Sequence, residues 1–129
     1  MEIAEKIKQI RWLRKQAELA AIEERMHTQP ARTDLSEIRH IHDVFVSVAN
    51  PKNRDNTKIF ILLVFFMYSP ASFVNSRMCK GGVRRELAKV LGLSKNAISI
   101  YFGDAKSLLF THKGFREETQ KIYDVLTQS

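Results

Sequence analysis

The sequence predicts an all-α protein, a compact bundle of helices with a helical extension at its N-terminus. Three observations predict this class. Apolar residues make up 44% of the 129 residues, which is enough for a core. Apolar residues at spacings of three and four, typical of helices, run through most of the chain. The five glycines and three prolines are too few for a collagen-like or low-complexity chain.

Residues 1–27 are predicted to form the extension. This segment has no glycine or proline, and its apolar residues make one helical stripe of Ile3, Ile7, Ile10, Leu13 and Ala17. Arg14 falls in the seam of a strict heptad, which disfavours a long two-stranded coiled coil. The stripe packs either on the chain's own core or on a second copy. Trp12 is expected to be a packing residue rather than a base-stacking one.

After a linker at Thr28–Thr33, residues 34–129 are predicted to form one helical domain. Asp34 and Glu37 have the spacing of a capping box, which would open a second helix. Its apolar face would be Ile38, Ile41, Phe45 and Val48. The stretch Asp43–Val48 also alternates as a strand would, so both structures stay open there.

The third predicted helix is the most apolar part of the chain. Thr57 is a candidate cap for a helix over Lys58–Tyr68, and Pro70 could begin a further helical turn. The apolar run is about half as long as the roughly 20 residues that a membrane span requires, which indicates a buried core helix. The charged first ten residues contain no signal peptide, so we expect a soluble, cytoplasmic protein without a membrane partner.

The charge of the chain is concentrated in one segment. The formal net charge is +7, from 21 basic and 14 acidic residues. Between Arg77 and Arg116 there are nine basic residues and two acidic ones, so this window contains the whole excess. Basic surfaces of this kind favour anionic partners, nucleic acid before an acidic membrane.

Residues 84–103, RRELAKVLGLSKNAISIYFG, lie within this basic window. The stretch resembles the helix-turn-helix of DNA-binding proteins. The resemblance assigns Ala88 as the small residue of the first helix, Gly92 as the turn glycine and Ser94 as the N-cap of the second helix. The expected apolar positions are Leu87, Leu91, Leu93, Ile98 and Tyr101. The predicted architecture is therefore a compact helix-turn-helix bundle.

The wider stretch Lys58–Leu109 looks like the four-helix variant of this motif in the C-terminal domain of sigma factors and LuxR-type regulators. In that arrangement Asp104 would cap a further short helix ending near Phe110. Small proteins of phages and mobile elements are similar in their compact layout. A last helix would follow, with an apolar stripe that packs on the bundle or forms a dimer interface. The stripe is Phe115, Ile122, Tyr123 and Leu126.

The resemblance and the side-chain chemistry together predict which residues contact double-stranded DNA. The second helix of the motif would enter the major groove, and its base-reading residues would be Ser94, Lys95, Asn96, Ser99 and Ile100. The phosphate contacts would be Lys80, Arg84, Arg85, Lys89 and Lys106. One such module covers few base pairs, so we also expect a homodimer. The expected role is transcriptional regulation or DNA handling in a phage or mobile element.

Enzyme chemistry is not indicated. His40 and His42 are two residues apart, so their side chains would lie on one face of a strand but not of a helix. No third ligand is near in the sequence, so no metal site is expected. Cys79 is the single cysteine of the sequence and lies in a basic segment. Because no second cysteine could form a disulfide with it, we expect a thiol without a redox function. No cofactor and no small-molecule substrate are expected. The alternative is a helical assembly or adaptor protein that recognises protein, with a role similar to that of a phage terminase small subunit.

Overall fold

The computed structural model describes residues 3–27, 30–73 and 81–128. These residues form α-helices, with a 3-10 turn before α2 and another after α3, and no strand occurs among them. The helices are α1 (Ile3–His27), α2 (Ile38–Val48), α3 (Arg54–Tyr68), α4 (Gly81–Leu91), α5 (Lys95–Thr111) and α6 (Lys113–Gln128). The predicted all-α class is confirmed.

The apolar helix α3 lies at the centre of the bundle, where α2, α4, α5 and α6 all contact it. From Ile59 to Tyr68 only Phe66 is exposed. The predicted buried core helix is therefore confirmed, but its predicted start was wrong. The helix begins at Arg54 because the side chain of Asn53 caps it, accepting a hydrogen bond from the Asp55 amide at 2.9 Å. Thr57 lies one turn inside the helix.

The second predicted helix is present as α2, so the strand alternative for Asp43–Val48 was wrong. Ile38, Ile41 and Phe45 are buried at helical spacing, and the packing of this face on the core decides between the two structures. Val48, which was expected on the same face, is half exposed.

The predicted capping box before α2 is replaced by a 3-10 turn over Leu35–Glu37. The carboxylate of Asp34 caps this turn and accepts from both the amide and the hydroxyl of Ser36. The Glu37 amide donates to the Asp34 carbonyl at 3.3 Å, but the Glu37 carboxylate does not return to the Asp34 amide and instead pairs with the Arg32 guanidinium at 3.1 Å. Arg32 is also bound to the end of α3, since its backbone amide donates to the Met67 carbonyl at 3.0 Å.

The last helix, α6, packs on the bundle. Phe115, Ile122 and Leu126 are buried, and Tyr123 is half-buried against the ring of Phe66. The packing alternative for this stripe is confirmed, and these side chains are not free to form a dimer interface.

The first helix, α1, has a different environment. Every α1 side chain that the structure describes is exposed, including Ile3, Ile10 and Leu13. The stripe does not pack on the described bundle, and neither does Trp12, since 61% of it is exposed. The bundle closes around α3 without α1, so the apolar stripe of the extension has no partner among the described residues.

The region that resembles a helix-turn-helix departs from expectation at one point. We expected a break at Gly103 and a new helix capped by Asp104, but α5 runs unbroken for 17 residues. Phe102 and Ala105 are both buried on the core side, so the helical period must continue through the glycine between them. A single helical glycine costs about 1 kcal/mol relative to alanine, less than this burial contributes. Asp104 lies within the helix, 3.8 Å from the Lys58 ammonium.

Candidate nucleic-acid interface

The turn between α4 and α5 has the geometry that the motif requires. Gly92 is the one described residue with a positive φ, at +67°, which is the left-handed conformation that ends a helix. The Leu93 amide then donates back to the Ala88 carbonyl at 3.0 Å, as in a Schellman motif. The hydroxyl of Ser94 caps α5 by accepting from the Ala97 amide at 3.1 Å.

Apolar side chains fix α5 in place against α4 and α3. Leu87 on α4 and Ile98 on α5 are fully buried, and Phe102 stacks on Phe65 of α3 at 4.2 Å between ring centroids. The remaining motif positions, Leu91, Leu93 and Tyr101, are half-buried around this contact. Because the inward face of α5 is held in this way, its opposite face is presented to solvent in a fixed orientation.

We call the exposed side of the first turns of α5 the reading face, formed by Lys95, Asn96, Ser99 and Ile100. All four side chains are exposed, and 55% of Ile100 is accessible although it is apolar. Lysine and asparagine side chains can donate to guanine and adenine edges, and an aliphatic group can contact a thymine methyl. Ser94 is also exposed, but its hydroxyl is used in the helix cap.

The hydroxyl of Ser99 is occupied within the chain. It donates to the Lys95 carbonyl at 3.2 Å and accepts a hydrogen bond from the Arg84 guanidinium at 3.2 Å. Ser99 therefore has less capacity to read a base than Lys95 or Asn96, whose side chains make no such bond among the described residues. Arg84 keeps most of its five N–H donors for another acceptor.

The basic residues of α4 lie beside the reading face. Arg84, Arg85 and Lys89 are exposed, and no carboxylate of the described residues lies within ion-pair distance of them. Lys106 is half-buried on α5, with its ammonium 4.6 Å from the centroid of the Phe102 ring. Lys80, also expected to contact phosphate, lies outside the described residues.

Sequence reasoning missed the length of this surface. Because α5 is continuous, its solvent side extends beyond the reading face for two more turns. Gly103, Ser107 and Phe110 are exposed there, Phe110 to 76%, and Lys106 is half-buried. The signal was present in the sequence, since Ile98, Phe102 and Ala105 continue one buried stripe across the glycine.

The two histidines of α2 lie in different environments. His40 is exposed, whereas His42 packs edge-on against Phe60 at 5.1 Å and lies near Phe45. Burial is the main cause that lowers the pKa of His42. Within the described part of the chain, no three histidine, cysteine or carboxylate side chains are grouped so that they could hold a metal ion. Cys79 lies outside that part.

The candidate nucleic-acid interface therefore consists of the reading face, its continuation along α5, and the basic side chains of α4. None of the described helices combines the length and the apolar character that crossing a bilayer requires. No protein-family model matches this chain, and neither a curated protein nor a solved structure matches it.

Proposed function

We propose that this protein binds double-stranded DNA in a sequence-specific manner, by placing α5 in the major groove. The observation that supports this most directly is the reading face itself. Lys95, Asn96 and Ile100 are exposed there, and the opposite side of the same helix is buried in the core. The cations of α4 lie at the edge of this face without a carboxylate partner among the described residues. Such cations suit contact with the phosphates on either side of a groove.

The experiment that tests the proposal is a selection of bound duplexes from a random pool, followed by titration of the selected site at several salt concentrations. With about five phosphate contacts, the slope of log affinity against log salt should be about −4 to −5. A slope near zero, or a pool that yields no preferred sequence, would contradict sequence-specific binding to duplex DNA.

A homodimer completes this proposal. One small module buries only about 600–1,000 Å² on DNA, and a second copy about one helical turn away doubles the sequence that is read. The exposed stripe of Ile3, Ile7, Ile10 and Leu13 on α1 is a continuous apolar surface available for pairing, whereas the stripe on α6 is buried. The proposed role is transcriptional regulation or DNA handling in the cytoplasm, in a phage or mobile element, without a catalytic step.

Light scattering tests the dimer. The full chain should have the mass of two chains at micromolar concentration, and Ile7→Glu combined with Ile10→Glu should reduce it to one. Lys8→Glu introduces the same charge on the other side of α1 and should leave the mass unchanged. A wild-type mass of one chain, with and without DNA, would contradict the dimer.

The exposed α1 also supports a second role, that of a helical assembly or adaptor protein. A 25-residue helix with exposed apolar side chains is a surface that another protein can cover. Under this alternative the same α1 variants would abolish assembly, while the protein would select no duplex from the random pool.

A further inference from the structure

A small cleft lies beside the reading face, where α4 and α5 meet. Its volume is about 180 Å³, and the ring of Phe102 forms part of its wall. Arg84 and Lys106 both line it, and none of the described residues that line it is acidic. Two cations beside one small cleft, without a carboxylate, make a local environment suited to an anion.

Gly103 also lines the cleft, and it differs from Gly82 of α4 and Gly92 of the turn, for which the structure shows a constraint. Gly92 needs its positive φ, and a Cβ on Gly82 would lie 2.7 Å from Leu35 Cδ1. Gly103 has neither constraint, because its φ is not positive and, apart from its chain neighbours and its own helix backbone, no described atom lies within 4 Å of the position of a Cβ. Alanine would stabilise the middle of a helix such as α5. Neither backbone conformation nor packing among the described residues accounts for this glycine, and the space that its side chain would fill is open to a ligand.

The neighbours of Gly103 are oriented by contacts within the protein. Ser99 lies one turn before it on the same side of α5, and Lys106 lies one turn after it. The guanidinium of Arg84 is tethered to the Ser99 hydroxyl at 3.2 Å, and the ammonium of Lys106 lies over the Phe102 ring at 4.6 Å. An anion that lies against Gly103 would thus have a positioned cation on each side.

We propose that a backbone phosphate of bound DNA lies against Gly103, between Arg84 and Lys106, an assignment that rests on the proposed DNA binding. The missing Cβ lets the phosphate oxygens approach the backbone of α5 closely. Arg84 donates from the N–H groups that Ser99 does not use, and Lys106 supplies a second charge-assisted hydrogen bond. In this arrangement Ser99 is a positioning residue, because it holds Arg84 rather than contacting a base.

Opposite effects on stability and on binding distinguish this assignment from a structural role. Gly103→Ala should raise the melting temperature and weaken binding of the selected duplex roughly tenfold, because the new methyl group displaces the phosphate. Lys106→Gln should weaken binding and reduce the magnitude of the salt slope by about 1. Lys121→Gln removes an exposed cation of α6, outside the interface, and should change neither the affinity nor the salt slope appreciably.

The outcomes separate this inference from the proposed function. If the wild-type protein selects and binds a duplex but Gly103→Ala binds it equally well, the phosphate does not lie at Gly103 and only this inference fails. If inorganic phosphate at constant ionic strength binds in the cleft without weakening the binding of the duplex, the cleft holds a free anion and the assignment to a DNA phosphate is overturned. If the wild-type protein binds no duplex, the proposed function fails, and this inference fails with it.

Discussion

The Arg84 guanidinium on α4 donates a hydrogen bond to the Ser99 hydroxyl on α5, with 3.2 Å between the two heavy atoms. This bond links the two helices of the motif on their solvent side, while Leu87 and Ile98 are buried on the core side. The reading face and the basic side chains of α4 are therefore held in one relative orientation before any partner binds. Such preorganisation reduces the entropy that binding would otherwise cost.

The two helices of the motif should contribute differently to binding. Arg85→Ala removes an exposed cation of α4 and should weaken binding to selected and random duplexes by similar factors. Asn96→Ala should cost about 1–3 kcal/mol on the selected site and relax the preference at one base pair. Titration of both variants against both kinds of DNA measures the difference. Equal losses on specific and random DNA for Asn96→Ala would contradict base reading by this residue.

Two exposed glycines should respond in opposite ways to the same substitution. Both Gly92 and Gly103 have open space where a Cβ would lie, but only Gly92 has a positive φ. Gly92→Ala should destabilise the protein by about 1–2 kcal/mol, because an L-residue is strained there. Gly103→Ala should stabilise it by about 1 kcal/mol.

Chemical denaturation of both glycine variants checks this prediction. Gly92→Asn serves as the control, because asparagine tolerates the left-handed conformation better than alanine and should recover part of the loss. An unchanged free energy of unfolding for Gly92→Ala would mean that the chain leaves α4 in another way.

His112 should be required for the start of α6. Its Nδ1 accepts a hydrogen bond from the Phe115 amide at 3.1 Å, and its own amide donates to the Leu108 carbonyl at the end of α5. His112→Ala removes the cap and should lower the free energy of unfolding by about 1 kcal/mol, whereas His112→Asn should retain most of it. Faster hydrogen exchange confined to the first turn of α6 would locate the effect. Equal stability of the alanine and asparagine variants would contradict a capping role.

Stability should fall on mild acidification because of His42. Burial against Phe60 and Phe45 is the main cause that lowers its pKa below the ordinary 6.5, with Asp43 opposing this shift and Arg39 adding to it. The unfolded chain therefore takes up the proton first. The stabilisation is fully present above pH 6.5 and is lost as the pH falls through the pKa of the folded state.

Melting temperatures at about pH 7.5 and about pH 5 measure this effect. His42→Phe keeps an aromatic ring without a titrating group, so its melting temperature should fall less than that of the wild type. His40→Gln changes an exposed histidine of the same helix and should fall as the wild type does. The same fall in all three proteins would show that another group is responsible.

The sequence by itself determined the local structure of this protein. Gly92 predicted the left-handed turn because glycine adopts a positive φ without strain, and Ser94 predicted the start of α5 because its hydroxyl can cap a helix. The long apolar run predicted a buried central helix. These features depend on neighbours in the chain, and local patterns therefore suffice to predict them.

Tertiary packing decided the features for which local signals conflict. Gly103 and Asp104 resemble a helix break, but the burial of Phe102 and Ala105 on one side keeps α5 continuous. The alternation in Asp43–Val48 is compatible with a strand, and the contact of α2 with the core selects the helix. The bond between Arg84 and Ser99 joins residues 15 positions apart, so only the crossing of α4 and α5 brings them together. The burial of Phe102 and of the apolar face of α2 outweighs local preference because it contributes more free energy than one helical glycine costs.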